Sequence, residues 1–355
     1  MYIKKAKKRF AASGIIFALC AVSYLVCKIT SLAADSVFVP LAQIVSIPMK
    51  AVNALAPFSL FEVFLILLIP IVILFAVVTV KKTSDYTDKE FWLSQGSLLC
   101  LTASILLSIY LMLYGLPCLR TPVIDIMYDG AKISDTDTLY ELTLHIVQEA
   151  NENRQIAGEF GFEDTANKLE TAFETASDKY PYLKGNPSRP KKSIFSVPMS
   201  HLSITGIYIP FTAEAHVSTD NPDFVIPFTM AHEMAHSVFV AREDEANFFA
   251  YLVCLETDDA QIKYSANFEA MIYCINALYE ASPERCAQAV QTMSESVLED
   301  LRINNDHIDS YEGTSSKIGE FVNDVHLKLS GQEGTQSYDL VVELLLKWYE
   351  KGNIG

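Results

Sequence analysis

The sequence predicts a mainly α protein with minor β content: a three-helix transmembrane anchor over residues 1–120, then a mostly helical soluble domain over 121–355. Three observations predict this. Every apolar run long enough to cross a bilayer lies in the first third of the chain, acidic charge accumulates beyond residue 120, and helical periodicity dominates that acidic part.

The apolar runs are Ala11–Ile29, Leu60–Val80 and Phe91–Leu116, each meeting the roughly 20 residues a spanning helix needs. A cleaved signal peptide is the alternative reading of the first, with "SLAAD" at Ser31–Asp35 as a small-residue site; the later spans favour an anchor. Lys4, Lys5, Lys7, Lys8 and Arg9 precede the first span, and Lys81, Lys82 and Lys89 separate the second from the third. Basic segments stay cytoplasmic, so the chain is expected to leave the third span near Arg120 on the outer face. Lys28 and Glu62 sit at span ends, where they can snorkel, and Pro70 can kink the second span. No charge pair falls in mid-membrane, which argues against a transporter.

Residues 1–120 hold 11 of the 27 basic and 5 of the 43 acidic side chains, leaving 16 and 38 beyond them. A soluble part of net −22 excludes nucleic acid as a partner, because binding it needs a basic footprint. The expected partners are the lipid bilayer and a peptide or protein substrate. Cys20, Cys27 and Cys100 fall in spans and Cys118 at a span end; Cys254, Cys274 and Cys286 form no CxxC pair. One bridge, or plain core packing, accounts for that odd trio.

Beyond the anchor, "TLYELTLHIVQEA" opens on a capping box of Thr138 with Glu141 and lines Leu139, Leu142, Ile146 and Ala150 along one helical face. "DTANKLETAFETA" repeats the period with Ala166, Leu169, Phe173 and Ala176. A turn-rich loop over Lys184–Ser193 leads to Ser203–Ser218, whose β-branched and aromatic content predicts a short strand or extended segment. Helices are expected at Ile262–Ala281, Pro283–Arg302, Ile318–Leu329 and Tyr338–Lys351.

Between strand and helices stands "TMAHEMAHSVFVAREDEAN", Thr229–Asn247. His232 and His236 share a helix face and can hold one Zn2+, with Glu233 placed to act on a water as general base. The competing reading is an ordinary helix with solvated histidines, but its uncharged context would leave two buried imidazoles needing partners. A catalytic zinc takes three protein ligands. On a straight helix Glu243 would lie about 10 Å beyond His236, so the site requires a break within Ser237–Ala241 and a second helix starting near Arg242. Val238, Phe239 and Val240 permit that break, with no glycine to force it. Glu243 is the preferred third ligand, with Asn247 as its outer hydrogen-bond partner; Glu245 ranks second and Asp244 third. The oxyanion donor is sought among Tyr208, His216, His307, Tyr311 and His326, with Tyr208 and His216 first by proximity to the strand.

These residues resemble the gluzincin type of zinc metallopeptidase, in which HExxH on one helix is joined by a glutamate from the next. Glu243, Ala246 and Asn247 are similar to the Glu-x-x-Ala-Asp/Asn signature of several bacterial metallopeptidases. A metzincin is disfavoured, since Arg242 stands where its third histidine belongs. Three spans with "GIYIPFTAEAHVS", "HEMAH", "AREDEANFFAYLVC" and "VHLKLSGQEGTQSYDLV" resemble a bacterial membrane-protein family designated only as a domain of unknown function. The family often has a glycine where this chain has Phe239, and another where it has Ala213. The resemblance implies a zincin-like soluble domain and a membrane-anchored zinc-dependent peptidase. The alternative is a non-catalytic zinc protein, a sensor or assembly factor, whose site would be closed by a fourth protein ligand.

Overall fold

A computed structural model describes residues 2–82, 89–128, 135–311, 313 and 337–352. The chain divides into two compact units, residues 1–120 with 210–212, and residues 121–209 with 213–355.

The first unit contains α1 (Tyr2–Ile29), α2 (Val39–Ala54), α3 (Leu60–Lys82) and α4 (Lys89–Tyr110). A π-helical turn, Ala34–Phe38, runs into α2 and another, Leu111–Gly115, succeeds α4. α1 and α4 pack along each other, and the residues they bury are small: Ala6, Ser13 and Cys27 on α1, Ser94, Ser97 and Ser104 on α4. That is how helices approach closely where lipid gives no hydrophobic drive. Arg9 donates to the Ser94 carbonyl and hydroxyl at 3.3 and 3.4 Å.

Among the described residues four segments, not three, are long and apolar enough to cross a membrane: Tyr2–Ile29, Ala34–Ala54, Leu60–Val78 and Lys89–Tyr128. The additional one escapes a search for unbroken apolar runs because Asp35, Gln43, Lys50 and Asn53 interrupt it. Glu62 does not snorkel; it is buried at the start of α3, where its backbone N–H donates to Ser59 Oγ at 2.9 Å.

The second unit is helical around a small sheet. Its helices are α5 (Val123–Tyr128), α6 (Thr136–Ile156), α7 (Phe162–Lys179), α8 (Ser196–Ser200), α9 (Ile226–Ser237), α10 (Glu243–Leu255), α11 (Ala260–Ala281), α12 (Pro283–Val290), α13 (Glu295–Tyr311) and α14 (Ser337–Glu350). α6 starts earlier than the capping box predicts, because Asp135 caps it by accepting from Asp137 N–H at 3.1 Å. The expected helix Pro283–Arg302 is broken between α12 and α13. Asn151 of α6 holds the break, donating to the Thr292 carbonyl and accepting from Ser294 N–H, both at 2.8 Å. The expected helix Ile318–Leu329 lies outside the described residues. None of the seven cysteines forms a disulfide, and Cys254, Cys274 and Cys286 are buried as packing groups.

The segment Ser203–Ser218 forms two strands rather than one. β2 (Gly206–Ile209) pairs antiparallel with β3 (Glu214–Val217), and β1 (Pro190–Lys192) pairs parallel on the other side of β3. The order β1-β3-β2 leaves β2 at one edge.

One core joins α6, α7, α9, α10, α11 and α14. Phe173, Phe248, Phe249 and Phe268 are among its fully buried side chains, each contributing roughly 1.5–3 kcal/mol. Arg154 of α6 forms a two-pronged pair with the buried Asp300 of α13, at 2.5 and 3.2 Å, and Tyr264 of α11 donates to the same carboxylate at 2.6 Å. Three helices thus share one satisfied carboxylate.

Candidate metal centre

α9 is buried along its whole length except at His232, whose side chain is 14% exposed. Pro227 opens the helix where a missing N–H does no harm, and Phe228 N–H is taken by Ser265 Oγ of α11 at 2.9 Å.

The helix then stops as the third ligand requires. Phe239 adopts φ 71°, Val240 N–H reaches back to the Ala235 carbonyl at 3.1 Å, and Phe239 N–H to the His236 carbonyl at 3.0 Å. A left-handed residue with a six-to-one bond is the Schellman way of ending a helix, usually with glycine. Ala213, just before β3, has φ 52°. Both positions where the family resemblance expects glycine are therefore left-handed, and this chain fills them with side chains.

The same turn orients a ligand. Val240, displaced by the left-handed step, presents its carbonyl to His236 Nδ1 at 2.8 Å. The imidazole donates from Nδ1 and keeps Nε2 for the cluster, the usual outer support of a metal-binding histidine. Asn247, expected as an outer partner of Glu243, is half-buried one turn into α10.

Arg242 is extended, and α10 starts at Glu243. Glu243 Oε2 lies 3.2 Å from His232 Nε2, and its Oε1 lies 3.5 Å from His236 Nε2. The rings of His232 and His236 meet edge to face with centroids 4.4 Å apart. One donor atom from each of the three residues lies within 4.8 Å of the others. The 3.2 and 3.5 Å separations are near the about 3.3 Å edge of a tetrahedron with metal–ligand bonds of about 2.0–2.1 Å, so the three side chains could hold a metal ion.

Charge within the cluster is tightly linked. Burial pushes the Glu233 carboxyl up to about 7, against the pull of both histidines. Burial lowers His236, but the adjoining Glu243 outweighs it and raises the imidazole to about 9. Glu243 itself, half-buried beside them, is held well below the usual carboxylate range by the two histidines. Two polar atoms are left over: Glu233 Oε2 and His232 Nδ1 are buried without a hydrogen-bond partner.

β2 closes over Glu233 at Gly206. A Cβ there would stand 2.5 Å from Glu233 Oε1, 2.8 Å from its Cγ and 2.8 Å from Thr229 Cγ2. Only a residue without a side chain allows this approach. Gly206 pairs with Val217 and Tyr208 with Ala215, so alternation puts Tyr208 on the sheet face that meets α9. Burial raises its phenol pKa.

His216 is on the other face. It alternates with Val217, shares its side with Glu214, and pairs with Lys191, whose Nζ donates to Glu214 Oε1 at 3.0 Å. The expectation that His216 serves the metal site is corrected by this register: proximity in sequence to the strand did not specify the face.

Glu245 is not part of the cluster. It is fully buried, accepts from Val123 N–H at 2.6 Å and from Tyr182 Oη–H at 2.9 Å, and so ties α10 to the start of α5. Asp244 faces Arg242, 3.2 Å away. His307 and Tyr311 belong to a separate group on α13: the Tyr311 ring meets His201 edge to face at 4.8 Å, and Asp220 accepts from Ser200 Oγ at 2.7 Å and from Tyr311. His326 lies outside the described residues.

Residues 39–346 match the family described as "Protein of unknown function (DUF3810)". The chain belongs to that family. The match runs from α2 into α14 and spans the positions of His232, His236 and Glu243. Neither a curated protein nor a solved structure matches it.

Proposed function

We propose that this DUF3810 protein is a membrane-anchored zinc-dependent metallopeptidase of the gluzincin type, with a zincin-like soluble domain acting outside the cytoplasm. The observation that carries the reading is Glu233. Its Oε2 is buried without a partner immediately beside three converging ligand atoms. A carboxylate kept in that position at the expense of desolvation suits proton transfer and is surplus in a purely structural site.

His232, His236 and Glu243 would hold the ion, which supplies a Lewis acid and an acidified water. Glu233, with its carboxyl raised to about 7, would serve there as the general base and then as the general acid toward the leaving amine. Val240 keeps His236 in the tautomer that offers Nε2. Edge strand β2, pressed against Glu233 at Gly206, can hold an extended peptide by backbone hydrogen bonds. Tyr208, on the α9 face of that strand, remains the candidate oxyanion donor.

A closed structural zinc site would need a fourth protein donor, and Glu245, the first candidate for it, is engaged elsewhere. The test is Glu233→Gln in the detergent-solubilised full chain, assayed against a pool of quenched fluorescent peptides that the parent cleaves. Zinc should remain and cleavage should fall at least about 10³-fold. Unchanged cleavage would remove Glu233 from the mechanism.

A further inference from the structure

α2 has a surface opposite to that of a soluble amphipathic helix. Val39, Ala42, Ser46, Lys50 and Asn53 are buried, Lys50 to 8% exposure. Leu41, Ile44, Ile47, Val52 and Leu55 are exposed, Ile44 to 65% and Leu55 to 85%. At 100° per residue the two sets occupy opposite sides of the helix. α3 differs: past its first turn it exposes apolar side chains all round, as a helix surrounded by lipid does.

The packing of α2 is equally specific. Its start is fixed where α1 and α4 end: Cys27, Ala34 and Leu116 form one buried cluster, and Arg120 lies 3.8 Å from Asp35. From there α2 packs on the turn Leu111–Gly115, whereas α1 and α4 pack along each other. A helix recrossing the bilayer from that point would run back beside α1 or α4. α2 tracks neither.

Charge points the same way independently. Lys4, Lys5, Lys7, Lys8 and Arg9 precede α1, and Lys81, Lys82 and Lys89 lie between α3 and α4. Four crossings would put these two basic groups on opposite sides of the membrane; three put them on the same side, as the positive-inside rule requires.

We infer that α2 is an interfacial helix lying in the plane of the membrane, with Leu41, Ile44, Ile47, Val52 and Leu55 inserted at the headgroup–acyl boundary of the lipid. Its polar side, with Ser46, Lys50 and Asn53, faces protein. The chain then crosses three times, through α1, α3 and α4, and residues 121–355 emerge on the side opposite the N-terminal lysines. The inference goes beyond the peptidase reading and holds whatever chemistry the metal cluster performs.

The test places single cysteines at Leu41, Ile44, Ile47, Val52 and Leu55 in the full chain. Each is coupled to an environment-sensitive fluorophore in phosphatidylcholine–phosphatidylglycerol vesicles carrying shallow or deep spin-labelled lipid, with the labelled parent as control. The expected result is stronger quenching by the shallow label at all five positions, at depths equal within about 5 Å. A crossing helix would instead spread Leu41 and Leu55 over about 21 Å of depth, and that gradient would overturn the inference. Absence of quenching by either lipid would overturn it too, since the face would then be covered by protein. In cells, a membrane-impermeant maleimide should reach Ser31→Cys and Pro57→Cys from one side and Ser84→Cys from the other. Labelling of residues 31 and 57 from opposite sides would establish a fourth crossing.

Discussion

Replacing Gly206 with alanine perturbs the proposed base without touching a ligand. The new Cβ would lie 2.5 Å from Glu233 Oε1 and 2.8 Å from both Glu233 Cγ and Thr229 Cγ2, where ordinary contacts begin at 3.4 Å. The deficits are about 0.9 and 0.6 Å. Glu233 is 3% and Thr229 5% exposed, so neither can swing into solvent. Strand β2 must lift from α9, or Glu233 must change rotamer. Overpacking of this kind costs about 1–3 kcal/mol, and displacing a catalytic group by about 1 Å lowers turnover about 10²-fold. Zinc content, turnover on the peptide pool and thermal unfolding of the full chain read the three consequences separately. Zinc should stay stoichiometric while turnover and stability fall. Adding Thr229→Ser, which removes the crowded methyl but keeps the hydroxyl bonded to the Val225 carbonyl at 3.3 Å, should restore part of the stability. Parent-like turnover and stability in Gly206→Ala would refute the close approach of β2 to the base.

The remaining predictions concern the frame around the site. Asp300→Ala leaves Arg154 and Tyr264 without their shared acceptor and, because Arg154 is partly solvated, should destabilise the second unit by about 1–3 kcal/mol, read as a lower unfolding temperature with zinc content per folded chain unchanged; an unaltered midpoint would mean that the network carries no stability. Ala213→Gly relieves a left-handed alanine at φ 52° and should be neutral or stabilising by up to about 1 kcal/mol. Phe239→Gly relieves a similar backbone strain but removes a side chain only 1% exposed, so it should lose about 3 kcal/mol or more. If both glycine variants shifted stability alike in thermal unfolding, backbone strain and not burial would dominate at both turns.

The core of the site is legible in the sequence because it is local. His232, Glu233 and His236 are spaced by one helical turn, and a straight helix would carry Glu243 too far away, which forces the break that Phe239 makes. Glu243 and Glu245 are separated by a long-range contact that no spacing reveals: Val123 N–H, 122 residues away in sequence, claims Glu245. Gly206 reads as the start of a strand, and its approach to Glu233 exists only once β2 docks on α9. The expectation for His216 fails because a strand assigned without its register does not fix which face a side chain joins. α2 escapes for a related reason. A search for unbroken apolar runs discards a helix with lipid on one side and buried polar groups on the other, and only the exposure pattern separates the two faces.

Metal content tests most directly whether Glu243 completes a three-ligand zinc site with His232 and His236. Elemental analysis of the purified full chain should find about one zinc per chain in the parent and in Glu245→Gln, which preserves an acceptor for Val123 and Tyr182, and none in Glu243→Ala. A folded parent without zinc, or a Glu243→Ala chain that keeps it, would contradict the account.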